Sequence, residues 1–500
     1  MENLSISSKG ATKILSDNTS TIEVSEEFIL ADYIPEIRRL LGIKSQALPE
    51  SRYVQGDKLE LGGAVTYLVT YTDDDGELCG TSLSSSYNME LPFIEGAQDL
   101  FLTTVDNVNV RVNGPRRLTI KARLKTRLQM LGTEQIKEQI TPKSTADEMF
   151  LEREALDRES FEIQKCTLDG IRMSDRLYAP ENESVKPLWC DAYIVITDTK
   201  SQNGSVSVRG KVKVKCVCQG SEGIITLERE LPLAEEIECE SCKTGDSTRV
   251  TGRCVSLSIS NEASESTNQL FFDIDCELEC QALKRYPLKL TKDCYSTRYE
   301  TEAVYQDKEL YSVVKMANSS FTLNDTVKQK NGEITEIIEK IATPVLEKAD
   351  IKGSKMILSG KVQGVIIGKG KADENGSSEY TSLQMELPFK YECDLGKAVE
   401  EPIIFASLDM GDMLLTGEGE KINATVEIYP AFTVYEKTRE RILDSMVIKK
   451  DKEIKKDGAV VTAFFPKDSD TLWEIAKRFH TTTKKIEEDN ESTDGAMIIL

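Results

Sequence analysis

A strand-glycine-strand signature that returns at near-constant intervals constrains this chain more than any other feature. It reads LELGGAVTYLVTY at Leu59–Tyr71, VSVRGKVKVKCVC at Val206–Cys218 and MILSGKVQGVIIG at Met356–Gly368, with Gly63, Gly210 and Gly360 aligned. The glycines are spaced by 147 and 150 residues. Apolar residues alternate on both sides of each glycine, which predicts half-buried strands with a bulge or a close backbone approach there. A Gly/Asp/Ser-rich turn follows each signature (Asp73–Gly76, Gly220–Gly223, Asp373–Ser378). A second strand then ends in MELPF (Met89–Phe93), RELPL (Arg229–Leu233) or MELPF (Met385–Phe389). Proline cannot donate to a ladder, so the Leu-Pro step is expected to mark the strand's exit. Each unit closes on another alternating pair, at Val105–Met130, Arg253–Cys280 and Ala406–Phe432. Fixed-period repetition of this kind implies one supersecondary unit used three times.

The expected architecture is therefore mainly β: three tandem sandwich-like units and a different, smaller module at the C-terminal end. The reading assigns 1–20 to an N-terminal tail, 21–140 to the first unit, and 141–162 to a charged connector or surface helix. The second unit takes 163–304, the third 305–438, a charged linker 439–458 and the last module 459–500. Short helices are expected ahead of the glycine strands at Ala31–Ile43, where Pro35 suits an early helical position, and at Ile334–Ile341.

The last module reads as strand (Ala459–Phe465), helix, helix (Thr482–Asp489) and strand (Met497–Leu500). Asp470 or Ser469 can cap the first helix, and Thr471 with Glu474 fits a capping box. Leu472, Ile475, Ala476 and Phe479 make one apolar face. His480, near the helix end, reads as a polar residue favoured by the helix dipole.

SDTLWEIAKRFHTTTKKIEEDN, followed by GAMIIL, is similar to the LysM pattern of a small βααβ domain. The resemblance implies a binding surface made by the loops before the first helix and after the second. On this sequence that surface comprises Asp470, Thr471, Leu472, Trp473, Asn490, Glu491 and Ser492. Ser469, Asp489 and Asp494 depart from the pattern where Gly, an apolar residue and Pro are usual. The repeats, with DYIPEIRRLLGI and the junction CYSTRYETEAV (Cys294–Val304), resemble SPOCS domains, β-rich modules of endospore-forming bacteria. SPOCS repeats ending in a LysM resemble the architecture of spore-coat morphogenetic proteins. That resemblance implies a non-enzymatic scaffold in the mother-cell cytoplasm at the forespore surface and in the spore coat. It would bind the coat ATPase SpoIVA through the LysM region, meet other coat proteins, and promote encasement of the forespore. The alternative is a peptidoglycan-binding protein that reads N-acetylglucosamine polymer. Homo-oligomerisation is compatible with either.

Composition narrows the chemistry. A net charge of −22 repels phosphate backbones, so no nucleic-acid partner is expected. No apolar run approaches the roughly 20 residues a transmembrane helix needs. Residues 1–21 lack the basic-then-apolar order of a secretory leader, which points to the cytosol. His480 is the one histidine, so His-based triads and common zinc-hydrolase sites are excluded. No catalytic residue, cofactor or metal is expected. Cys216, Cys218, Cys239 and Cys242 have spacings that could hold zinc, but buried reduced thiols are the preferred reading. Asp73 and Asp75 read as turn residues rather than glycosidase acids. The glycine clusters precede strands and turns, not the helix a phosphate cradle must open.

Overall fold

In the computed structural model, the described residues are 5–140, 150–181, 183–221, 223–260, 268–329, 334–372, 378–417, 420–455, 462–467, 469–490 and 497–499. Three sets of strands repeat one pairing pattern. The first set contains β1 (Ser5–Ile29), β2 (Arg39–Gln55), β3 (Lys58–Thr72), β4 (Leu78–Pro92), β5 (Gln98–Gly114) and β6 (Arg117–Ile140). The second set contains β7 (Leu151–Tyr178), β8 (Lys186–Gln202), β9 (Ser205–Gln219), β10 (Ile224–Glu238), β11 (Thr248–Ser260) and β12 (Gln269–Ser296). The third set contains β13 (Tyr299–Asn318), β14 (Phe321–Lys328), β15 (Glu336–Lys352), β16 (Lys355–Lys369), β17 (Tyr380–Asp394), β18 (Pro402–Thr416) and β19 (Lys421–Glu453).

Each glycine strand is the centre of a three-stranded antiparallel meander: β2-β3-β4, β8-β9-β10 and β15-β16-β17. A second layer covers it, made by the closing hairpin and the strand that opens the set: β5-β6-β1, β11-β12-β7, and β18-β19 with β13 and β14. Val65 and Tyr67 of β3 meet Leu118–Leu124 of β6, and Val362 and Ile366 of β16 meet Ile422–Ile428 of β19, so each set is a sandwich.

The expected feature at the glycines is present in all three. Gly63, Gly210 and Gly360 pair with Pro49, Ile196 and Leu346, and the flanking strand bulges at the next residue each time. A β-carbon at Gly360 would collide with the carbonyl oxygen of Val345; at Gly63 and Gly210 the obstacle is the oxygen of Leu48 and Val195. Glycine is used because the backbones touch, with no left-handed conformation involved.

The MELPF repeat is less regular than it looks. Pro232 and Pro388 sit one position before the residue that faces the glycine, opposite Lys211 and Lys361, whereas Pro92 faces Lys58. Only β4 ends at its proline. β10 and β17 continue past theirs; all three are end strands of their sheets, the place where a strand tolerates proline.

Several expectations about the rest of the chain are corrected. Residues 5–20, expected as tail, belong to β1, which pairs with β6 almost residue for residue. Leu151–Glu162, expected in a connector or helix, is the first part of β7 and pairs with Lys284–Ser296 of β12. Arg439–Glu453, expected in a linker, pairs with β13. Ala31–Ile43 is not a helix: Arg116 holds the carbonyls of Ala31 and Ile34 at 2.9 and 2.8 Å, Tyr71 donates to the carbonyl of Pro35 at 3.0 Å, and β2 begins at Arg39. Glu336–Ile341 of the second expected helix is β15, because it faces β16 through Val365 to Lys369.

The sets pack around a shared core. Leu41, Trp189 and Ile341 meet Leu78, Val217, Ile367 and Tyr380, drawing on all three meanders. At the other end the long strands overhang their own sandwiches, and Ala11, Ile136, Leu156, Leu290, Leu310 and Ile442 bury one another. The last module follows, with β20 (Ala463–Phe464), α1 (Leu472–Arg478), α2 (Thr483–Asp489) and β21 (Ile498–Ile499). Among the described residues no helix is long and apolar enough to cross a membrane.

Candidate binding site at the C-terminal module

The module's order is the expected one, strand-helix-helix-strand, with β20 antiparallel to β21. Thr471, rather than Asp470 or Ser469, is the N-cap of α1. Its hydroxyl accepts from the Glu474 amide at 3.2 Å, and its own amide donates to the Glu474 carboxylate at 3.0 Å. This reciprocal bonding satisfies two amides the helix would otherwise leave open. Thr482 caps α2 in the simpler way, accepting from Lys485 at 3.0 Å. His480 lies just past α1 at φ 49°, with Thr481 bonded back to the Ala476 carbonyl at 3.0 Å. Its place is thus set by a backbone turn of the Schellman type.

The residues assigned to the LysM surface divide by what already engages them. The Asp470 carboxylate accepts from the Lys467 amide at 2.9 Å, which holds the turn before α1. Thr471 is exposed, and Leu472 packs on the core of Ile475, Ala476, Ile486 and Ile498. The Asn490 side chain donates to the carbonyls of Ile486 and Ile499 at 2.7 and 2.8 Å and accepts from the Ile499 amide at 2.8 Å. It therefore ties the end of α2 to the closing strand. Asp470, Thr471 and Asn490 accordingly shape the two loops that the resemblance implicates. Glu491 and Ser492 lie outside the described residues.

Trp473 is different. Its indole N–H donates to Asp293 at 2.9 Å, and its ring meets Tyr295 edge-on with centroids 5.0 Å apart. Lys477, one turn later on the same helix face, reaches both oxygens of Asp293 at 2.8 and 2.7 Å. Tyr305 donates to Asp293 at 2.6 Å, and Tyr295 donates to the Thr481 carbonyl at 2.7 Å. Asp293 and Tyr295 end β12 and Tyr305 lies in β13, so α1 sits on the junction between the second and third sets. Burial pushes the Asp293 carboxyl up, but the bonds from Lys477, Trp473 and Tyr305 outweigh it and hold the group below the usual carboxylate range. Burial pulls Lys477 down, but Asp293 and Tyr305 raise it above the usual lysine range. The dock was not visible beforehand, since the motif names Trp473 but nothing local names Asp293. The junction CYSTRYETEAV did contain Tyr295.

The cysteines form separate groups. Cys190 faces Cys216 across β8 and β9 with sulfurs 2.8 Å apart, and Cys218 lies 3.5 Å from Cys216. Cys239 and Cys242 instead neighbour the cross-strand pair Cys166 and Cys280. The four residues considered as a zinc set are therefore divided between two groups. Among the described residues no group of three or more His, Cys, Asp or Glu side chains is arranged to hold a metal ion. Burial pushes the Cys239 and Cys242 thiols up to about 11, which suits inert core thiols. Asp73 accepts from the amides of Asp75 and Glu77 at 3.1 and 2.9 Å, a turn organised by its own side chain.

Comparison with protein families gives two matches. The model described as "SipL, SPOCS domain" matches residues 183–260, and the LysM domain model matches residues 467–498. The SPOCS match covers β8 to β11 of the second set. No curated protein and no solved structure matches the chain. Both matched families are binding or scaffold domains without catalysis, and together they point to a coat protein of sporulation whose LysM is of a peptidoglycan-binding type. A mainly β chain with a SPOCS domain in its middle and a LysM domain at its C-terminal end thus has the makeup of a SipL-like SPOCS-plus-LysM protein.

Proposed function

We propose that this chain is a non-enzymatic morphogenetic scaffold of the spore coat, which binds the coat ATPase SpoIVA through its LysM region and promotes encasement of the forespore. The observation that carries the reading is the joining of a SPOCS domain to a LysM that rests on the body of the same chain through Trp473 and Lys477. A module fixed in this way presents a composite surface of α1, its loops and the neighbouring strand ends, which fits a protein partner better than a glycan thread. Matching strand pairing in the first and third sets, with β13 and β14 together in the place of β1, supports reading them as SPOCS-like units as well, with residues 5–20 of β1 added to the span read from sequence. Several contact surfaces on one chain then give avidity for a polymerised partner without any chemistry.

Peptidoglycan binding is the second reading. It is favoured by the LysM match and by the exposure of Thr471 beside the loop held by Asp470. The surface proposed for either ligand comprises Asp470, Thr471, Leu472, Trp473, Asn490, Glu491 and Ser492. Localisation of a fluorescent fusion through sporulation tests the scaffold reading. It should appear in the mother cell and encircle the forespore only when SpoIVA is present. Expression in vegetative cells, or encirclement without SpoIVA, would overturn the reading.

A further inference from the structure

The joints between the strand sets are built from equivalent positions but not from equivalent residues. Gly360 occupies in β16 the place of Gly210 in β9, so Gln363 stands where Lys213 does and Val365 where Lys215 does. Thr343, paired with Gln363, stands where Tyr193 does, paired with Lys213. Asp412 sits in the bulge of β18, and Asp106 in the corresponding bulge of β5.

At the joint between the second and third sets these positions make a clamp. Tyr193 and Lys213 donate to one oxygen of Asp412 at 2.7 and 2.6 Å, and Lys211 donates to the other at 3.2 Å. Lys215 forms an ion pair with Glu339. The space left there is about 70 Å³.

At the joint between the third and first sets the clamp is missing. Thr343 and Gln363 replace the tyrosine and the lysine, while Val365 and Gly42 replace Lys215 and Glu339. Asp106 pairs within its own set, with Arg123 at 2.6 Å. The result is a cleft of about 780 Å³ lined by β2 and β5 on one side and by β15 to β18 on the other.

The cleft walls have a definite chemistry. β2 and β5 are end strands of their sheets, so each turns one row of backbone amides and carbonyls toward no neighbouring strand among the described residues. Asp106 and Asp409 line the cleft together with Val108, Val345 and Met385. The charged neighbour of Asp409, Arg249, is itself engaged by Ser407 at 3.0 Å and Gln281 at 3.4 Å. Arg127, also in the wall, is taken by Asp17 at 2.8 and 2.7 Å and by the Ile404 carbonyl at 2.6 Å. Asp106, Glu386 and Asp409 outnumber the wall cations Lys125 and Arg127, and two open strand edges beside this acidic, partly apolar lining suit an extended peptide that brings its own cation.

We propose that this cleft takes up an extended segment of a partner protein, added along the free strand edges, with a lysine or arginine reaching Asp106 on one wall or Asp409 on the other as Lys213 reaches Asp412 at the neighbouring joint. The inference stands apart from the LysM, so either can fail without the other. The probe is a fluorescein-labelled peptide of sequence TVKVKVT, with TVEVEVT as its counterpart, titrated with the full chain by anisotropy. The lysine peptide should bind, and the glutamate peptide should bind at least tenfold more weakly. Thr343→Tyr with Gln363→Lys rebuilds the clamp on Asp106 and should weaken the lysine peptide at least tenfold without lowering the melting temperature. Asp409→Asn, a smaller change, should weaken it severalfold. No binding of the lysine peptide, equal binding of both peptides, or indifference to Asp409→Asn and to a folded clamp variant would overturn the proposal. So would sedimentation as a dimer with the cleft protected from hydrogen exchange, which would make the occupant a second copy of the chain.

Discussion

Replacing Asp293 with alanine should release the LysM from the body while leaving both folded. The carboxylate is 15% exposed and holds Lys477, itself 36% exposed, through contacts of 2.8 and 2.7 Å, with the Trp473 indole at 2.9 Å. A hydrogen bond to a charged group contributes about 1.5–3 kcal/mol. Losing the lysine contact and the indole contact should therefore cost the dock about 3–5 kcal/mol. The edge-on pair of Trp473 with Tyr295 remains and contributes about 1 kcal/mol. Since about 1.4 kcal/mol is a factor of ten, the undocked population should rise by at least a hundredfold. Hydrogen exchange followed by mass spectrometry reads this at the β12 end and on α1, with Asp293→Asn separating loss of charge from loss of shape. Acid should do the same. Asp293 has a lowered carboxyl in the folded chain, so its contribution is present above the ordinary carboxylate range and is lost as pH falls through the lowered value. Exchange at Tyr295 and α1 that is unchanged in Asp293→Ala would refute the reasoning.

Other perturbations test other parts of the account. Gly360→Ala places a methyl group against the Val345 carbonyl and should destabilise the third set by about 2–3 kcal/mol, read as a lower melting temperature. Thr471→Ala removes the cap of α1 and should cost about 1 kcal/mol, visible as faster exchange confined to α1. Asp409 is pushed up to about 6 by burial, with Arg249 pulling the other way. The folded chain therefore holds that proton longer than the unfolded chain, and this carboxyl makes stability fall as pH rises from about 4 to about 6, by up to about 3 kcal/mol. Asp409→Asn should flatten that slope in melts across the range; an unaltered slope would show that another group sets it.

What the sequence disclosed depended on how local the signal was. The glycine strands were legible because alternation and a backbone collision are both encoded within a dozen residues, as at Val206–Cys218. The capping box of Thr471 and Glu474 was legible for the same reason. The strands that open each set were not. LEREALDRES at the start of β7 is rich in charge and in helix formers, and only its partner in β12, more than a hundred residues later, makes it a strand. Residues 5–20 similarly depend on β6, with Ser8 opposite Lys137. Ala31–Ile43 has a helix-like start, but Arg116 claims its carbonyls from far along the chain. At the candidate site, the family pattern pointed to Trp473 and to the loops, yet the partner of Trp473 lies 180 residues away, beyond the reach of any motif.

The central claim is that the LysM region serves a protein partner in coat assembly. The most direct test compares binding of the full chain to purified, polymerised SpoIVA and to insoluble peptidoglycan under the same conditions, with Trp473→Ala alongside. The account predicts saturable binding to SpoIVA that weakens when Trp473 is lost, and little retention on peptidoglycan. Strong retention on peptidoglycan with no binding to SpoIVA would contradict it.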